Sequence, residues 1–179
     1  MEALAHNERV AIARLHALLE LLPTALDREL ATIGLTSFEF ILLEALQESD
    51  AGRLRLTALA KRTNATLPRL SRVVTGLERK GLVQRSACEE DGRATNAVLT
   101  PAGGTAYESS KSVYSRAVRA MILDGMNADA VDQLAQLAFS ILSNLDPQFH
   151  DADNSDAACS ADPAPENLAV EVPSCPADP

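Results

Sequence analysis

The sequence predicts a mainly α-helical protein that carries one small β-hairpin. Apolar residues recur every three or four positions over long stretches near both ends of the chain, which is the spacing of helices with one buried face. Between these stretches, residues 82–85 and 94–99 have the alternation of two short strands. With 179 residues, the chain is long enough for one domain with its own core.

Two short helices separated by a turn precede the predicted hairpin. The first spans residues 57–62, with Thr57 as its expected N-cap, because a threonine hydroxyl accepts from an unpaired N–H of the first turn. Asn64 follows in the turn, where asparagine tolerates the left-handed conformation of a tight helix exit. Thr66 is the expected cap of the second helix, which spans about residues 67–80.

A hairpin with a long projecting loop follows the second helix. Gly81 ends that helix, residues 82–85 and 94–99 form the two strands, and residues 86–93 are too many for a tight turn. Residues 54–56 are a candidate third strand. This order is that of a winged helix-turn-helix core, which spans about residues 36–100 and places its second helix in the DNA major groove.

The second helix is amphipathic, and its polar face carries the candidate DNA contacts. Arginine side chains can bind guanine or phosphate with two hydrogen bonds, and serine or threonine can reach either group. The loop of the hairpin adds an arginine for the minor groove and an aspartate to hold it. The predicted contacts are Thr66, Pro68, Arg69, Ser71, Arg72, Thr75, Arg79, Asp91 and Arg93. An arginine-bearing helix is also a common solvated surface, so this face alone does not establish DNA binding.

Several short motifs, in this order and spacing, resemble the MarR family of bacterial transcriptional regulators. They are Leu59-Ala60, Ser71-Arg72, Leu77-Glu78-Arg79-Lys80-Gly81-Leu82-Val83, Asp91-Gly92-Arg93 and Leu99-Thr100-Pro101-Ala102-Gly103. The resemblance covers roughly residues 8–146. It departs from the family at Gly92, where a second arginine is frequent, and at Glu89 and Glu90, which make the loop acidic.

Amphipathic helices flank the predicted core on both sides. Residues near the N-terminus form one that Pro23 should kink, that continues over residues 24–31 and that Gly34 ends. Thr36 then opens a second helix, with Glu39 three positions on as a capping box. The apolar face predicted for that second helix is Phe38, Ile41, Leu42, Ala45 and Leu46. After the hairpin, one helix is expected over about residues 102–123 and a last one over about 128–144.

The resemblance implies that the terminal helices of two chains interlock in a homodimer. Such a dimer binds an inverted-repeat operator on double-stranded DNA, most often as a repressor. It also implies a small, often aromatic or phenolic effector bound between the dimer helices and the core. Helix facing nominates Arg14, His16, Leu19, Phe38 and Tyr107 as its lining. The alternative for the flanking helices is an elongated monomer.

The net charge of −9 is unfavourable for DNA binding, but the charge is unevenly distributed. Residues 150–179 contain seven acidic residues and no lysine or arginine, whereas residues 53–93 contain ten basic residues against four acidic ones. We therefore expect one domain over residues 1–149 and a disordered acidic tail over 150–179. The tail is either a solubilising extension or a competitor that weakens non-specific DNA binding.

Other function classes have little support in the sequence. No nucleophile motif, phosphate loop or carboxylate pair suggests an enzyme, and no Cys/His spacing suggests zinc, so no cofactor or metal is expected. No apolar run reaches the length of a membrane span and no signal peptide is evident, so a cytoplasmic protein is expected. The remaining alternatives are a redox-sensing regulator acting through Cys88 and a winged-helix module that binds proteins rather than DNA.

Overall fold

The computed structural model describes residues 3–87 and 94–146. Over these ranges the chain forms helices joined by short turns, with a small antiparallel sheet in the middle. The helices are α1 (His6–Leu30), α2 (Ser37–Gln47), α3 (Leu56–Arg62), α4 (Leu67–Arg79), α5 (Pro101–Val118) and α6 (Ala128–Leu145). The strands are β1 (Arg53–Arg55), β2 (Val83–Ala87) and β3 (Thr95–Leu99). A π-helical turn, Arg119–Leu123, extends α5.

The capping box predicted at the start of α2 is confirmed. The Thr36 N–H donates to Glu39 Oε2 at 2.8 Å, and the Glu39 N–H donates to Thr36 Oγ1 at 3.2 Å. Asp27 of α1 adds a second cap, because its Oδ1 accepts from the Ser37 N–H at 2.7 Å and from the Ser37 hydroxyl at 2.5 Å. Three of the free N–H donors at the start of α2 are therefore satisfied, and this turn is tied to α1.

The helix-turn-helix is formed by α3 and α4, with one cap placed differently from the prediction. Asn64 adopts the expected left-handed conformation, with φ of 49°. Thr66 occupies the N-cap position of α4, and its side chain makes no capping hydrogen bond. The prediction that Thr57 caps α3 is wrong: Arg55 is the N-cap residue, because β1 runs directly into the helix at Leu56.

The sheet has the order β1–β3–β2, and all its pairs are antiparallel. Arg55 pairs with Asn96 on one side of β3, and Val83 pairs with Leu99 on the other. The predicted hairpin and third strand are confirmed, but their bounds shift by one or two residues. Leu82 precedes β2 because its N–H donates to the Leu77 carbonyl and its own carbonyl accepts from the Thr100 N–H.

The start of α5 is packed tightly against the end of α4. The Thr100 hydroxyl donates to the Gly81 carbonyl at 2.7 Å and also accepts from the Gly103 N–H at 3.0 Å. A Cβ atom on Gly103 would lie 2.1 Å from the Leu82 carbonyl oxygen, so only glycine fits there. These contacts explain why threonine and glycine occupy positions 100 and 103.

The core lies between α2, α3, α4 and the sheet, with α1 and α5 closing one side. The face predicted for α2 is partly wrong: Phe38 and Ile41 are only half-buried, whereas Phe40 and Leu43 are fully buried. The buried positions differ from the prediction because α2 is covered on more than one side, by α5, β3, α1 and α3. Phe40 stacks on Tyr114 of α5 with ring centroids 4.1 Å apart.

The terminal helices contrast with this core. The first helix is continuous through Pro23, and α6 has no buried residue in the single chain. Gly125, with φ of 89°, separates α6 from the preceding turn, as predicted. No helix in the described ranges is long and apolar enough to cross a membrane.

A partly buried carboxyl group lies where α2 meets α5. The Tyr107 hydroxyl donates to Glu44 Oε1 at 3.3 Å. Burial, followed by the negative charge of Glu48, raises the pKa of the Glu44 carboxyl. Burial and then the charge of Glu44 raise the pKa of Tyr107 to about 12. Tyr107 is therefore a neutral hydrogen-bond donor at physiological pH.

We predict that Glu44→Gln stabilises the protein near neutral pH by less than about 1 kcal/mol. The folded-state pKa of Glu44 lies above its ordinary value of 4.5, so ionisation costs more in the folded than in the unfolded chain. Glutamine keeps an acceptor for Tyr107 without that charge. The gain should be fully present above the folded-state pKa of Glu44 and decline as the pH falls through 4.5, because Glu44 then becomes protonated in both states.

Urea unfolding of both proteins between pH 4 and pH 8 measures this difference. A variant that is less stable at pH 7 would contradict the account, because the carboxylate would then be stabilising as an ion.

Candidate nucleic-acid interface

The outward face of α4 is defined by what the helix buries. Leu70, Val74 and Leu77 are completely buried, at steps of four and three residues. The side chains on the opposite side are therefore directed to solvent. Pro68 lies in the first turn of the helix, where a missing N–H removes no intrahelical hydrogen bond.

An ion pair with α2 holds the C-terminal end of α4. Lys80 Nζ lies 2.7 and 2.8 Å from the two carboxylate oxygens of Glu39 and donates to the Gly34 carbonyl at 2.9 Å. Glu39 is buried, so this contact is less screened by solvent than a surface pair. Lys80, which the sequence presented as one more basic residue near the interface, is thus a structural residue.

The hairpin holds a second flank of α4. Arg85 of β2 donates from Nη2 to the Ser71 carbonyl at 2.9 Å and to the Ser71 hydroxyl at 3.2 Å. It also donates to Thr75 Oγ1 from both terminal nitrogens at 3.1 Å and forms an ion pair with Glu78. Ser71 and Thr75, both predicted DNA contacts, are half-buried beneath this arginine.

On the α2 flank, the N-terminal half of α4 also faces the start of α2. The guanidinium carbon of Arg69 lies 4.4 Å from the ring centroid of Phe38, a distance typical of a cation–π contact. The structure thus brings together a predicted DNA contact and a predicted effector contact. Arg69 is exposed on its other side.

Between these flanks, the predicted contacts Thr66, Pro68, Arg72 and Arg79 are exposed. Within the described part of the chain, the side chains of Arg72 and Arg79 form no hydrogen bond or ion pair. Arg72 and Arg79 are separated by seven residues, which is two helical turns or about 10 Å. Two unpaired guanidinium groups at this spacing present ten N–H donors along one line of the helix.

The tip of the hairpin lies outside the described residues. The β2–β3 ladder is described as far as the pair Ala87–Thr95. The predicted minor-groove residue Arg93, its partner Asp91 and the candidate redox residue Cys88 therefore remain predictions. The acidic tail predicted over 150–179 also lies outside the described residues.

The five residues predicted to line an effector site do not meet in one cavity of the described chain. Arg14, His16 and Leu19 are exposed on α1, whereas Tyr107 is buried in the core. Two clefts in the described ranges have volumes of about 380 and 260 Å³, and none of the five residues lines either of them. The effector site therefore stays a prediction.

The residue that sequence reasoning missed is Arg85. The available signal was the spacing of Ser71, Thr75 and Glu78, which places two hydroxyls and a carboxylate on one flank of α4. An arginine at the start of the hairpin is the partner that such a flank accepts. In the described ranges, no group of three histidine, cysteine or acidic side chains is arranged to hold a metal ion.

Comparisons with known proteins identify the family. The MarR family model matches residues 33–94. Among solved structures, Sco3205 of Streptomyces coelicolor, a MarR family transcriptional regulator in complex with DNA, is 30% identical, with a TM-score of 0.79 over 84% of this chain and 95% of that one. AbsC, a MarR family transcriptional regulator of the same organism, is 29% identical, with a TM-score of 0.77 over 83% and 100% of the two chains.

A more distant structure has the same fold. The complex of Staphylococcus aureus MepR with DNA is 20% identical to this chain, with a TM-score of 0.67 over 79% of this chain and 99% of that one. The motifs between Leu59 and Gly103, the winged helix-turn-helix built around α4, and an identity of 30% over nearly the whole of Sco3205 lead to one assignment. The chain belongs to the MarR family of transcriptional regulators.

Proposed function

We propose that the protein is a homodimeric, sequence-specific DNA-binding regulator that represses transcription and is released by a small-molecule effector. The observation that carries the proposal is the exposed row of Arg72 and Arg79 on a helix fixed along both flanks. A recognition helix lies in the major groove, and its position must be fixed for its side chains to reach the base edges. Relatives with this fold are known in complex with DNA, which supports the same use of α4 here.

The dimer is supported by the apolar surface that the single chain leaves exposed. Leu137 and Leu145 of α6 are 65% and 76% exposed, and Leu19 and Leu21 of α1 are 62% and 69% exposed. Monomeric proteins rarely expose large contiguous apolar patches. A second chain that packs its own α1 and α6 against these helices covers them and sets two copies of α4 side by side. A two-fold axis then matches an inverted-repeat operator.

The effector is proposed to bind between the dimer helices and the winged core. Arg14, His16 and Leu19 are exposed on α1, where the second chain is proposed to pack, and Phe38 of α2 lies against the Arg69 guanidinium. A ligand there changes DNA affinity only if it binds one spacing of the two α4 helices better than the other. We propose that a small aromatic or phenolic molecule does so, with Arg14 as a charged group and Phe38 as a ring face in its site.

We predict that Arg72→Ala lowers operator affinity by roughly 1–3 kcal/mol if the side chain reads a base. The operator is obtained by selection from random duplexes with the wild-type protein. Fluorescence anisotropy then compares the selected duplex with an unrelated one at several salt concentrations. If Arg72 binds phosphate instead, both affinities fall and the salt dependence becomes shallower.

The matched control is Arg116→Ala, which removes an exposed arginine from α5. It should leave both affinities within about twofold of the wild type. Unchanged binding of Arg72→Ala to both duplexes would exclude Arg72 from the interface. Absence of salt-dependent binding by the wild type to any duplex would favour the protein-interaction alternative.

A second prediction concerns the hairpin tip, where Arg93 is proposed to enter the minor groove and Asp91 to hold it by a charge-assisted hydrogen bond. Arg93→Ala and Asp91→Ala should each weaken binding without changing the circular dichroism spectrum or the dimer mass. The double variant should cost less than the sum of the two, because the residues act as a unit. Additive losses with a lower melting temperature would leave Asp91 as a turn residue only.

A third prediction tests the dimer. Leu137→Glu places a charge in the proposed interface and should convert the dimer to monomers, as measured by analytical ultracentrifugation. Operator affinity should fall at least about a hundredfold, because one half-site contact is lost. The control is Gln136→Glu, which adds the same charge on the polar face of α6 and should remain dimeric. A wild-type protein that sediments as a monomer would contradict the proposal directly.

A further inference from the structure

Arg85 contacts three successive turns of α4. Ser71, Thr75 and Glu78 lie on one flank of the helix, at intervals of four and three residues, and each accepts a hydrogen bond from the Arg85 side chain. Glu78 also accepts from the Arg85 backbone N–H at 3.1 Å. The hairpin strand and the recognition helix are therefore connected through a single side chain.

These contacts use the whole hydrogen-bonding capacity of the Thr75 hydroxyl. The Ser71 carbonyl can only accept, so Thr75 donates its proton to that oxygen at 2.9 Å. Nη1 and Nη2 of Arg85 each donate to Thr75 Oγ1 at 3.1 Å. A hydroxyl has one proton and two lone pairs, and all three are engaged. Thr75 has no polar group left for a base or a phosphate.

The Ser71 hydroxyl differs from that of Thr75, because its proton is not used in these contacts. Nη2 of Arg85 donates to Ser71 Oγ at 3.2 Å, which occupies one lone pair. The guanidinium cannot accept a hydrogen bond and repels the hydroxyl proton, so that proton is directed away from it. Ser71 therefore presents a donor, and its natural partners on DNA are the N7 and O6 atoms of guanine, N7 of adenine, O4 of thymine, or a phosphate oxygen.

We propose that Arg85 is a positioning residue for sequence readout, which removes the Thr75 hydroxyl from the DNA interface and makes Ser71 a hydrogen-bond donor. The inference rests on the proposed DNA-binding function. Glu78 neutralises the guanidinium and holds it against α4, so that Arg85 serves the helix rather than a phosphate. Lysine cannot replace it, because an ammonium group has no planar fork to reach both hydroxyls and the carboxylate.

The test measures selectivity, defined as the ratio of affinities for the selected operator and for an unrelated duplex of equal length. Arg85→Lys keeps the charge but loses the fork, so selectivity should fall roughly tenfold with an unchanged salt dependence. The control, Arg116→Lys on α5, should keep the wild-type ratio. A direct phosphate contact would survive in the lysine variant, so an unchanged ratio would overturn the proposal, with or without a lower melting temperature.

A double-variant cycle tests the role of Thr75. Thr75→Val removes the hydroxyl at nearly constant volume. If this hydroxyl acts only through Arg85, then Thr75→Val combined with Arg85→Lys should lose no more selectivity than Arg85→Lys alone. Losses that multiply would mean that Thr75 contacts DNA itself and would overturn the inference. A wild-type protein without selectivity for any duplex would instead overturn the proposed function on which the inference rests.

Discussion

The position of the recognition helix depends on the ion pair between Glu39 of α2 and Lys80 at the end of α4. The Glu39 carboxylate accepts the Thr36 N–H at the start of α2 and both its oxygens lie within 2.8 Å of Lys80 Nζ at the end of α4. Because Glu39 is buried, removal of Lys80 would leave this carboxylate without a counter-charge, which is unfavourable in a buried site. Asp27 ties the same turn to α1, so one short segment connects the flanking helix, the core and α4.

The helix is held on two flanks by different kinds of contact, and the difference has a consequence for DNA. On the α2 flank, Lys80 and Arg69 pack against elements of the core. On the hairpin flank, Arg85 binds α4 to a strand whose far end leads to the loop with Arg93. The Arg85 side chain therefore connects the strand that leads to the proposed minor-groove contact with Ser71, a proposed major-groove contact.

Arginine has three distinct roles around this helix, and the surroundings decide which. Arg85 meets two hydroxyls and a carboxylate and becomes structural, Arg69 meets the face of Phe38, and Arg72 meets no partner within the described residues. Composition alone treats them as equal contributions to a basic patch. Only unpaired arginines contribute their full charge to phosphate recognition, because a guanidinium already bound to Glu78 has been neutralised.

The sequence by itself determined the local structure: the capping box at Thr36, the left-handed Asn64, the end of α4 at Gly81, the hairpin and the amphipathic helices. These follow from neighbours within about four positions, where backbone sterics and periodicity act. Tertiary structure decided that Phe40 rather than Phe38 is buried, that Lys80 pairs with Glu39, and that Arg85 occupies the hydroxyls of Ser71 and Thr75. Each of these depends on residues at least 7 positions apart in the chain, brought together by packing that no local pattern encodes.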